Sequence, residues 1–330
     1  MNLTKLFGLS KDKGSKKITC AVVGLSNIAK STYLPLLAKN GKYKICYVVS
    51  SSIDLAKGFA RKYQCIPSNN YADVLQDPSL DLVIITNKNK DHAPYAIQAA
   101  EAGKHILLEK PVALTKNDCA RIARAVEKKG VVCSVLYNRT FSPYVQIMKQ
   151  RLGTGKKIIY QRFSRLVAKN WRDEQGGAVL DMYGHVFNLM EYLLDAKPVE
   201  FIVQSIETDD KKTAEENAVT VIKYDDGSLL TLLHTTMGNT HHGREMLHIF
   251  TNGLIYSLRD YKELKITSQK GTIFFKKTTK SKKGFKEQLD AFADYLRTKQ
   301  GRILTLEEGI RCTNFCIDVA QKIKSQKKSA

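Results

Sequence analysis

Residues 18–29 read ITCAVVGLSNIA and decide the fold of the first part of the chain. The run Ile18–Val23 is apolar and rich in β-branched residues, which is typical of a parallel strand buried on both faces. It leads directly into Gly24, which permits a tight turn, and a helical pattern follows from Asn27 to Lys39. A strand, a glycine turn and a helix in this order predict the first unit of a doubly wound α/β sheet.

Apolar runs and helical patterns continue to alternate as far as residue 137. Repeats of this length predict a parallel sheet with right-handed crossovers and helices on both faces, which is a Rossmann fold. The further strands are expected at 43–49, 81–86, 105–108 and 131–136, with a short piece at 73–75. The helices between them are expected near 53–63, 94–102 and 115–129.

The rhythm changes after about residue 138. Successive strands separated by Asp-Gly and Asn-Gly turns predict hairpins in an open, mainly antiparallel sheet, so this half is an α+β domain. Its strands are expected at 158–167, 199–207, 218–224, 229–234, 245–251 and 255–258, and its helices at 142–151, 186–194, 285–298 and from Thr305, with Glu308 completing a capping box. We therefore predict a basic extension over 1–17, a Rossmann domain over 18–137 and a substrate and oligomerisation domain over 138–330.

The chain of 330 residues carries an excess of positive charge, with 53 Lys and Arg against 32 Asp and Glu. The resulting net charge of +21 favours anionic ligands by long-range attraction. Nucleic-acid binding is not expected, because no zinc-finger, leucine-zipper or aromatic RNA-binding motif accompanies the charge. Much of the excess lies in three clusters: Lys5, Lys11, Lys13, Lys16 and Lys17; Lys276, Lys277, Lys280, Lys282, Lys283 and Lys286; Lys322, Lys324, Lys327 and Lys328.

The seven cysteines are scattered and odd in number, which favours a reducing compartment and therefore a cytoplasmic location. The first 17 residues lack the apolar core of a secretion signal, and no apolar stretch is long enough for a membrane span.

The turn after the first strand matches a Gly-x-Gly-x-x-Gly/Ala fingerprint with serine in the second place. Such a turn rests phosphates on the backbone N–H groups at the start of the next helix, so it predicts a bound dinucleotide. Ser26 has a hydroxyl that can donate to a phosphate oxygen. The residues expected to contact the cofactor here are Gly24, Ser26, Asn27 and Ile28.

The end of the second strand is where an acidic residue would bind the ribose 2′-hydroxyl of NAD. Ser50, Ser51 and Ser52 stand there instead, with Lys57 soon after. Hydroxyls and an ammonium suit a 2′-phosphate better than an acid does, so the sequence favours NADP over NAD without excluding NAD. The alternative is that these serines only form a loop.

Later motifs identify a family. Asn87-Lys88-Asn89-Lys90-Asp91-His92, Ala102-Gly103-Lys104-His105, Glu109-Lys110-Pro111 and Gly176-Gly177 followed by Asp181 and His185 come in this order. The arrangement resembles the Gfo/Idh/MocA oxidoreductases, which include glucose-fructose oxidoreductase and inositol dehydrogenase. The resemblance implies hydride transfer between a nicotinamide cofactor and a secondary alcohol of a sugar, cyclitol or nucleotide sugar. It also implies a homodimer or homotetramer that uses the open sheet.

The resemblance places Lys110 and His185 at the reacting hydroxyl, with Asp181 beside them. Asp181 and His185 are four residues apart, so a helix puts both on one face. Histidine titrates near neutrality and suits proton transfer, and Lys110 follows a strand at the edge where doubly wound sheets bind ligands. The remaining residues that it assigns to the cofactor are Asn87, Asn89, His92, Glu109 and Lys110.

Three alternatives stay open from the residues alone. Asp181 and His185 also suit a metal, although further clustered ligands are missing and no metal is expected. They also fit a capped helix with a core histidine. A non-catalytic dinucleotide sensor of the same fold is the competing function, but it has no need of a proton-transfer pair. In the Gfo/Idh/MocA family glycine often stands two residues after the aspartate, whereas Tyr183 stands there in this chain, which affects the expected size of the substrate.

Overall fold

The structure is a computed structural model, and it describes residues 16–164, 176–206, 217–238 and 241–327. Most of the predicted N-terminal extension, the end of the strand expected at 158–167 and the last residue of the one expected at 199–207 lie outside the described residues. Two sheets organise the rest.

The first sheet has six parallel strands in the order β3-β2-β1-β4-β5-β6. Its central strand β1 sends alternate residues to opposite faces, and both faces are buried, which explains its unbroken apolar sequence. The predicted Rossmann fold is confirmed. The strands are β1 (Ile18–Val23), β2 (Tyr43–Val49), β3 (Ile66–Ser68), β4 (Leu82–Ile85), β5 (His105–Leu108) and β6 (Cys133–Val135).

Five helices connect the strands of this sheet, and capping residues mark where several of them begin or end. The helix after β2 begins behind the capping hydroxyl of Ser52, and the last helix lies between a Thr115 cap and Gly130 in the left-handed region. The first helix opens with a π-helical turn at Ala29–Tyr33. The helices are α1 (Leu34–Lys39), α2 (Ile53–Tyr63), α3 (Tyr71–Gln76), α4 (His92–Glu101) and α5 (Lys116–Lys129).

The second sheet has eight strands in the order β14-β13-β12-β11-β7-β10-β9-β8. All neighbours are antiparallel except β7 and β10, which pair in parallel. The mainly antiparallel prediction is confirmed. The strands are β7 (Ile158–Ser164), β8 (Pro198–Ser205), β9 (Ala218–Tyr224), β10 (Leu229–Thr235), β11 (Glu245–Thr251), β12 (Leu254–Arg259), β13 (Glu263–Ser268) and β14 (Gly271–Lys277).

Four helices complete the fold: α6 (Pro143–Arg151), α7 (Ala178–Leu194), α8 (Phe285–Thr298) and α9 (Leu306–Lys327). Helices α7 and α9 pack on each other between the two sheets. Helix α8 instead returns to the first sheet, where Leu289, Phe292 and Ala293 share one apolar cluster with β1 and α1. Within the part of the chain that the structure describes, no helix is long and apolar enough to cross a membrane.

The structure differs from the sequence-based expectations in a few elements. The predictions omitted β3, β13 and β14, and the piece expected as 73–75 is the helix α3. Helix α7 begins at Ala178, eight residues before the predicted start at Val186. Gly184 lies inside this helix, where Tyr137 occupies the space that a side chain would need.

Candidate active site

The glycine turn between β1 and the first helix has the close packing that its sequence predicts. Gly24 has a φ of +88°, and a Cβ built there would lie 2.4 Å from the backbone N and Cα of Asn87. A side chain at this position would therefore both strain the backbone and push apart the ends of β1 and β4. The turn brings the residues after these two strands into contact.

Ser26 caps the helix that follows the turn. Its Oγ accepts a hydrogen bond from Ala29 N at 3.4 Å, and Asn27 and Ile28 form the start of the helix. Because the hydroxyl is an acceptor in this bond, its own hydrogen is still available to donate to a phosphate oxygen. Ser50 and Ser52 are arranged similarly after β2, accepting from Ser52 N and Leu55 N at 3.3 Å each.

The hydrogen-bonding atoms of the Asn87 side chain suit a bound dinucleotide. Both its Oδ1 and its Nδ2 are shielded from solvent, and neither has a hydrogen-bond partner among the described residues. Leaving a buried donor and acceptor unsatisfied costs about 1–3 kcal/mol each. An amide at the carboxyl edge of β4, next to Gly24, is therefore suited to bonding a ligand at the edge where such sheets bind them.

Glu109 connects the Lys110 loop to the first helix. Its Oε1 accepts from the Tyr33 hydroxyl at 2.8 Å and its Oε2 accepts from Lys110 N at 2.9 Å. Burial raises the pKa of the Glu109 carboxyl above its ordinary value, although Lys110 and Tyr33 oppose that shift. Glu109 was predicted to bind the cofactor, and that assignment stays a prediction. Both of its carboxylate oxygens accept hydrogen bonds from groups of the protein.

His92 lies behind the site and supports the loop that carries Lys110. The ring is fully buried, and its Nδ1 lies 2.7 Å from the carbonyl oxygen of Pro111. Burial lowers the pKa of His92 to about 4, so the ring is neutral near pH 7. Since a carbonyl only accepts, Nδ1 carries the hydrogen. Asn89 is also buried, in the short 3-10 turn at Asn89–Asp91. The sequence assigned both residues to the cofactor, and this assignment stays a prediction; both side chains are buried in the structure.

Lys110 and Asp181 are brought together from the two halves of the chain. The Lys110 Nζ donates to the carbonyl oxygen of Asp181 at 2.8 Å and forms a salt bridge with its carboxylate Oδ1. The Asp181 side chain is only 3% exposed and that of Lys110 is 16% exposed. A partly exposed ammonium is therefore paired with a buried carboxylate.

His185 follows Asp181 by one turn on the same face of α7, as the spacing predicted. The ring is half-buried and packs edge-to-face on Tyr137, with ring centroids 5.5 Å apart. Tyr183 points elsewhere: its hydroxyl lies 3.3 Å from Thr220 Oγ1, in the core beneath the second sheet. The tyrosine that replaces the usual glycine therefore does not narrow the site.

Tyr33, Tyr137 and Thr313 were not among the residues predicted from the sequence. Tyr137 lies two residues after β6, so the rule that ligands bind at the carboxyl edge could have found it. Thr313 has no comparable signal, because its partner Val112 is 201 residues away. Across the described ranges, no group of three His, Cys, Asp or Glu side chains is arranged to hold a metal ion.

Family models match both halves of the chain. The model described as "Oxidoreductase family, NAD-binding Rossmann fold" matches residues 18–137, and the GFO/IDH/MocA C-terminal domain matches residues 150–256. The chain belongs to the Gfo/Idh/MocA family. The resemblance inferred from the motifs is thereby confirmed, and the protein is an NAD(P)-dependent oxidoreductase.

Its relatives use either cofactor. The scyllo-inositol 2-dehydrogenase (NAD(+)) of Bacillus subtilis (strain 168) is 27% identical over 330 residues, spanning 90% of this chain and 94% of that protein. The scyllo-inositol 2-dehydrogenase (NADP(+)) IolW of the same organism is 25% identical over 236 residues; the match spans 67% of this chain but only 64% of IolW, slightly under two thirds of its length.

Solved structures share the whole fold. The aldose-aldose oxidoreductase from Caulobacter crescentus, complexed with glycerol, has a TM-score of 0.83 at 19% identity and covers 95% of this chain and 98% of its own. The UDP-N-acetylglucosamine 3-dehydrogenase GnnA from Acidithiobacillus ferrooxidans has a TM-score of 0.79 at 15% identity and covers 92% of this chain and 97% of its own.

Proposed function

We propose that this protein catalyses reversible hydride transfer between a nicotinamide dinucleotide and a secondary alcohol carbon of a sugar, cyclitol or nucleotide sugar. The observation that carries the proposal is the meeting of Lys110 and Asp181 at the carboxyl edge of the first sheet, one helical turn from His185. An imidazole can accept the hydroxyl proton of an alcohol, and an ammonium can stabilise the negative charge that develops on its oxygen during hydride transfer.

Each side chain has a distinct task in this reaction. When bound, the nicotinamide supplies the hydride acceptor or donor. His185 takes the hydroxyl proton during oxidation and returns it to the oxygen during reduction. Lys110 donates a hydrogen bond to the substrate oxygen as negative charge develops on it. Asp181 holds the ammonium in place through the salt bridge between the two side chains.

The cofactor would be held by the glycine turn and by the residues after β2, β4 and β5. Gly24 allows the backbone to pack closely against Asn87. Next to that turn, the Asn87 amide and the hydroxyl hydrogen of Ser26 can form hydrogen bonds with a ligand. The backbone N–H groups of Asn27 and Ile28, at the start of the first helix, suit phosphate oxygens.

The substrate class is supported by the related proteins and by the charge. Two relatives are named as scyllo-inositol 2-dehydrogenases, and one protein of the same fold is named as a UDP-N-acetylglucosamine 3-dehydrogenase. The net charge of +21 favours a phosphorylated or nucleotide-linked member of the class.

Reduced-nicotinamide absorbance tests the function directly. The purified protein is mixed with NAD or NADP and a panel of inositols, free sugars and UDP-sugars. Turnover of at least one of these that disappears in His185→Ala, while cofactor binding persists, supports the proposal. Cofactor binding without turnover of any panel member by the wild type favours the non-catalytic sensor.

We also propose a preference for NADP over NAD. The loop after β2 carries the Ser50 and Ser52 hydroxyls and the exposed Ser51, with no carboxylate among them, although Lys57 forms an ion pair with Asp54 at 3.8 Å. Ser51→Asp is expected to raise the KM for NADPH by about tenfold or more, because a carboxylate repels a 2′-phosphate. The KM for NADH should change less than about threefold. Equal changes in both would contradict the preference.

We propose that the open face of the second sheet joins copies of this chain into a dimer or tetramer. Cross-strand neighbours Leu229, Ile158, Phe250 and Ile255 form an apolar row there, and each is at least 37% exposed. Contiguous exposed apolar surface of this kind marks an association site. Light scattering should find a multimer that Phe250→Glu dissociates; an unchanged mass would contradict this interface.

A cytoplasmic location is also proposed. All seven cysteines are free thiols, which supports a reducing compartment. Cell fractionation with an antibody to the chain tests this location, and recovery with exported proteins would contradict it.

A further inference from the structure

Two buried hydroxyl groups fill the space between the Lys110 loop and helix α7. Tyr137 and Thr313 are both completely buried. Tyr137 comes from the end of β6 and Thr313 from α9. Buried polar groups in a core are held in place by specific hydrogen bonds, so they define the geometry of the elements that they join.

Thr313 contacts the loop that carries Lys110. Its Oγ1 accepts a hydrogen bond from Val112 N at 3.1 Å, two residues after Lys110. The same oxygen lies 3.4 Å from the Tyr137 hydroxyl. The Thr313 hydroxyl therefore joins the backbone of the Lys110 loop to Tyr137.

Tyr137 contacts the helix that carries His185. Its ring packs edge-to-face on the imidazole, with an interplanar angle of 80°. Its hydroxyl crosses α7 at Gly184, where a Cβ would lie 2.4 Å from the oxygen and 2.8 Å from two ring carbons. Because Tyr137 is enclosed by its neighbours, its ring has no room to move away from a larger residue at position 184. The glycine next to His185 is therefore required for this contact.

Together these contacts link the Lys110 loop and α7 on two sides of the site. Lys110 meets Asp181 on the open side, and Val112, Thr313, Tyr137 and His185 connect the same two segments on the buried side. The relative positions of the ammonium and the imidazole are therefore held from two directions.

We propose that Tyr137 and Thr313 are positioning residues, which set the orientation of the His185 imidazole relative to Lys110. This inference rests on the proposed function, in which both groups act on one substrate oxygen. Displacing a catalytic group by about 1 Å can cost about 100-fold in rate. Loss of either contact should therefore lower kcat much more than it raises KM.

The Thr313 hydroxyl is tested with a conservative pair. Thr313→Val removes the acceptor for Val112 N while preserving shape, and it should lower kcat about tenfold or more with KM changed less than about twofold. Thr313→Ser keeps the hydroxyl and should retain at least about half of the wild-type kcat. Equal activity of the valine and serine variants would overturn the role of this hydroxyl.

The Tyr137 ring is tested in the same way. Tyr137→Phe keeps the edge-to-face contact, and Tyr137→Leu removes it, so the leucine variant should have the lower kcat. Because the hydroxyls of Tyr137 and Thr313 act through one contact, Tyr137→Phe combined with Thr313→Val should cost no more than the larger single effect. Fully additive losses would overturn the coupling between them. The phenylalanine variant keeps the test valid if leucine prevents folding.

A substrate-independent measurement separates this inference from the proposed function. The imidazole signals of His185 are assigned by their loss in His185→Gln and recorded by ¹⁵N NMR without substrate. They should shift in Tyr137→Leu and Tyr137→Phe but keep the wild-type position in Lys116→Met, a surface control. Unchanged signals in both tyrosine variants would overturn the positioning role even if the enzyme turns over sugars. Shifted signals in a protein that turns over no panel member would support the contact while contradicting the proposed function.

Discussion

Lys110→Met is expected to lower kcat by about 10²- to 10³-fold, the loss measured when a single donor to a developing oxyanion is removed. The side chain of methionine reaches a similar length but has no hydrogen to donate. Cofactor binding, followed by fluorescence, should change little because the turn at Gly24 and the amide of Asn87 are untouched.

The same substitution should also destabilise the protein. Asp181 is 3% exposed and pairs with the Lys110 ammonium, so methionine removes the cation that neutralises a buried carboxylate. Breaking a buried ion pair in this way costs about 3–5 kcal/mol. A change in kcat could then be mistaken for a folding defect, which makes a second variant necessary.

The double variant Lys110→Met with Asp181→Asn separates the two effects. A neutral amide needs no cation, so most of the free energy of unfolding lost in the single variant should return in urea titrations. Turnover should stay low because the donor to the substrate oxygen is still missing. Recovery of activity together with stability would show that Lys110 is structural. Lys116→Met, which breaks only a half-exposed pair with Asp318, should change stability by less than about 1 kcal/mol.

Glu245→Gln is expected to be the most destabilising single substitution away from the site. Glu245 accepts from Arg139 Nη2 at 3.0 Å and from Lys283 Nζ at 2.6 Å, and all three groups come from different parts of the chain. Glu245 and Arg139 are both almost fully buried. Removing the carboxylate leaves the buried Arg139 and the partly exposed Lys283 as two facing cations, which should cost about 3–5 kcal/mol. We expect Tm to fall by roughly 5–10 °C.

The pH dependence of this loss follows from the sign of the pKa shift. Burial opposes ionisation of Glu245, but Arg139 and Lys283 overcome it and hold the pKa of the carboxyl below its ordinary value. A lowered folded-state pKa stabilises the protein above the unfolded-state pKa of about 4.3, and this is lost as pH falls through the folded-state value. The difference between wild type and Glu245→Gln should therefore be constant above about pH 5 and shrink at lower pH.

A matched control uses an exposed pair. Glu307 is 85% exposed and bonds Arg311 at 3.0 Å, so Glu307→Gln should change the free energy of unfolding by less than about 1 kcal/mol at every pH. A loss for Glu245→Gln no larger than that of this control would show that the buried cluster contributes little.

The elements that sequence predicts well are those whose signal is local. The apolar run of β1 and the glycine after it identified the Rossmann sheet, because a doubly buried strand has no polar alternation. The Glu109-Lys110-Pro111 motif is also a short continuous stretch, and it located the loop that carries Lys110. The spacing of Asp181 and His185 needed only the helix period.

Elements without a local signal were missed. Strand β14 (Gly271–Lys277) is an edge strand with lysines at its end. Such charges protect an edge strand from pairing with other chains. They also interrupt the apolar run by which a strand is recognised in the sequence. The Glu245 cluster joins residues more than 30 positions apart, and the Thr313 contact spans 201. Polar contacts of this range are decided by tertiary packing, which one sequence does not display.

The return of α8 to the first sheet has a consequence for how the chain folds as it is made. The apolar cluster around β1 is completed by Leu289, Phe292 and Ile303, which are synthesised long after the six parallel strands. A nascent chain that ends at residue 137 therefore lacks part of the cover on this face, because the first helix and α2 supply only some of the cluster. We expect a fragment limited to residues 18–137 to aggregate more readily than the whole chain, because it lacks the apolar residues of α8.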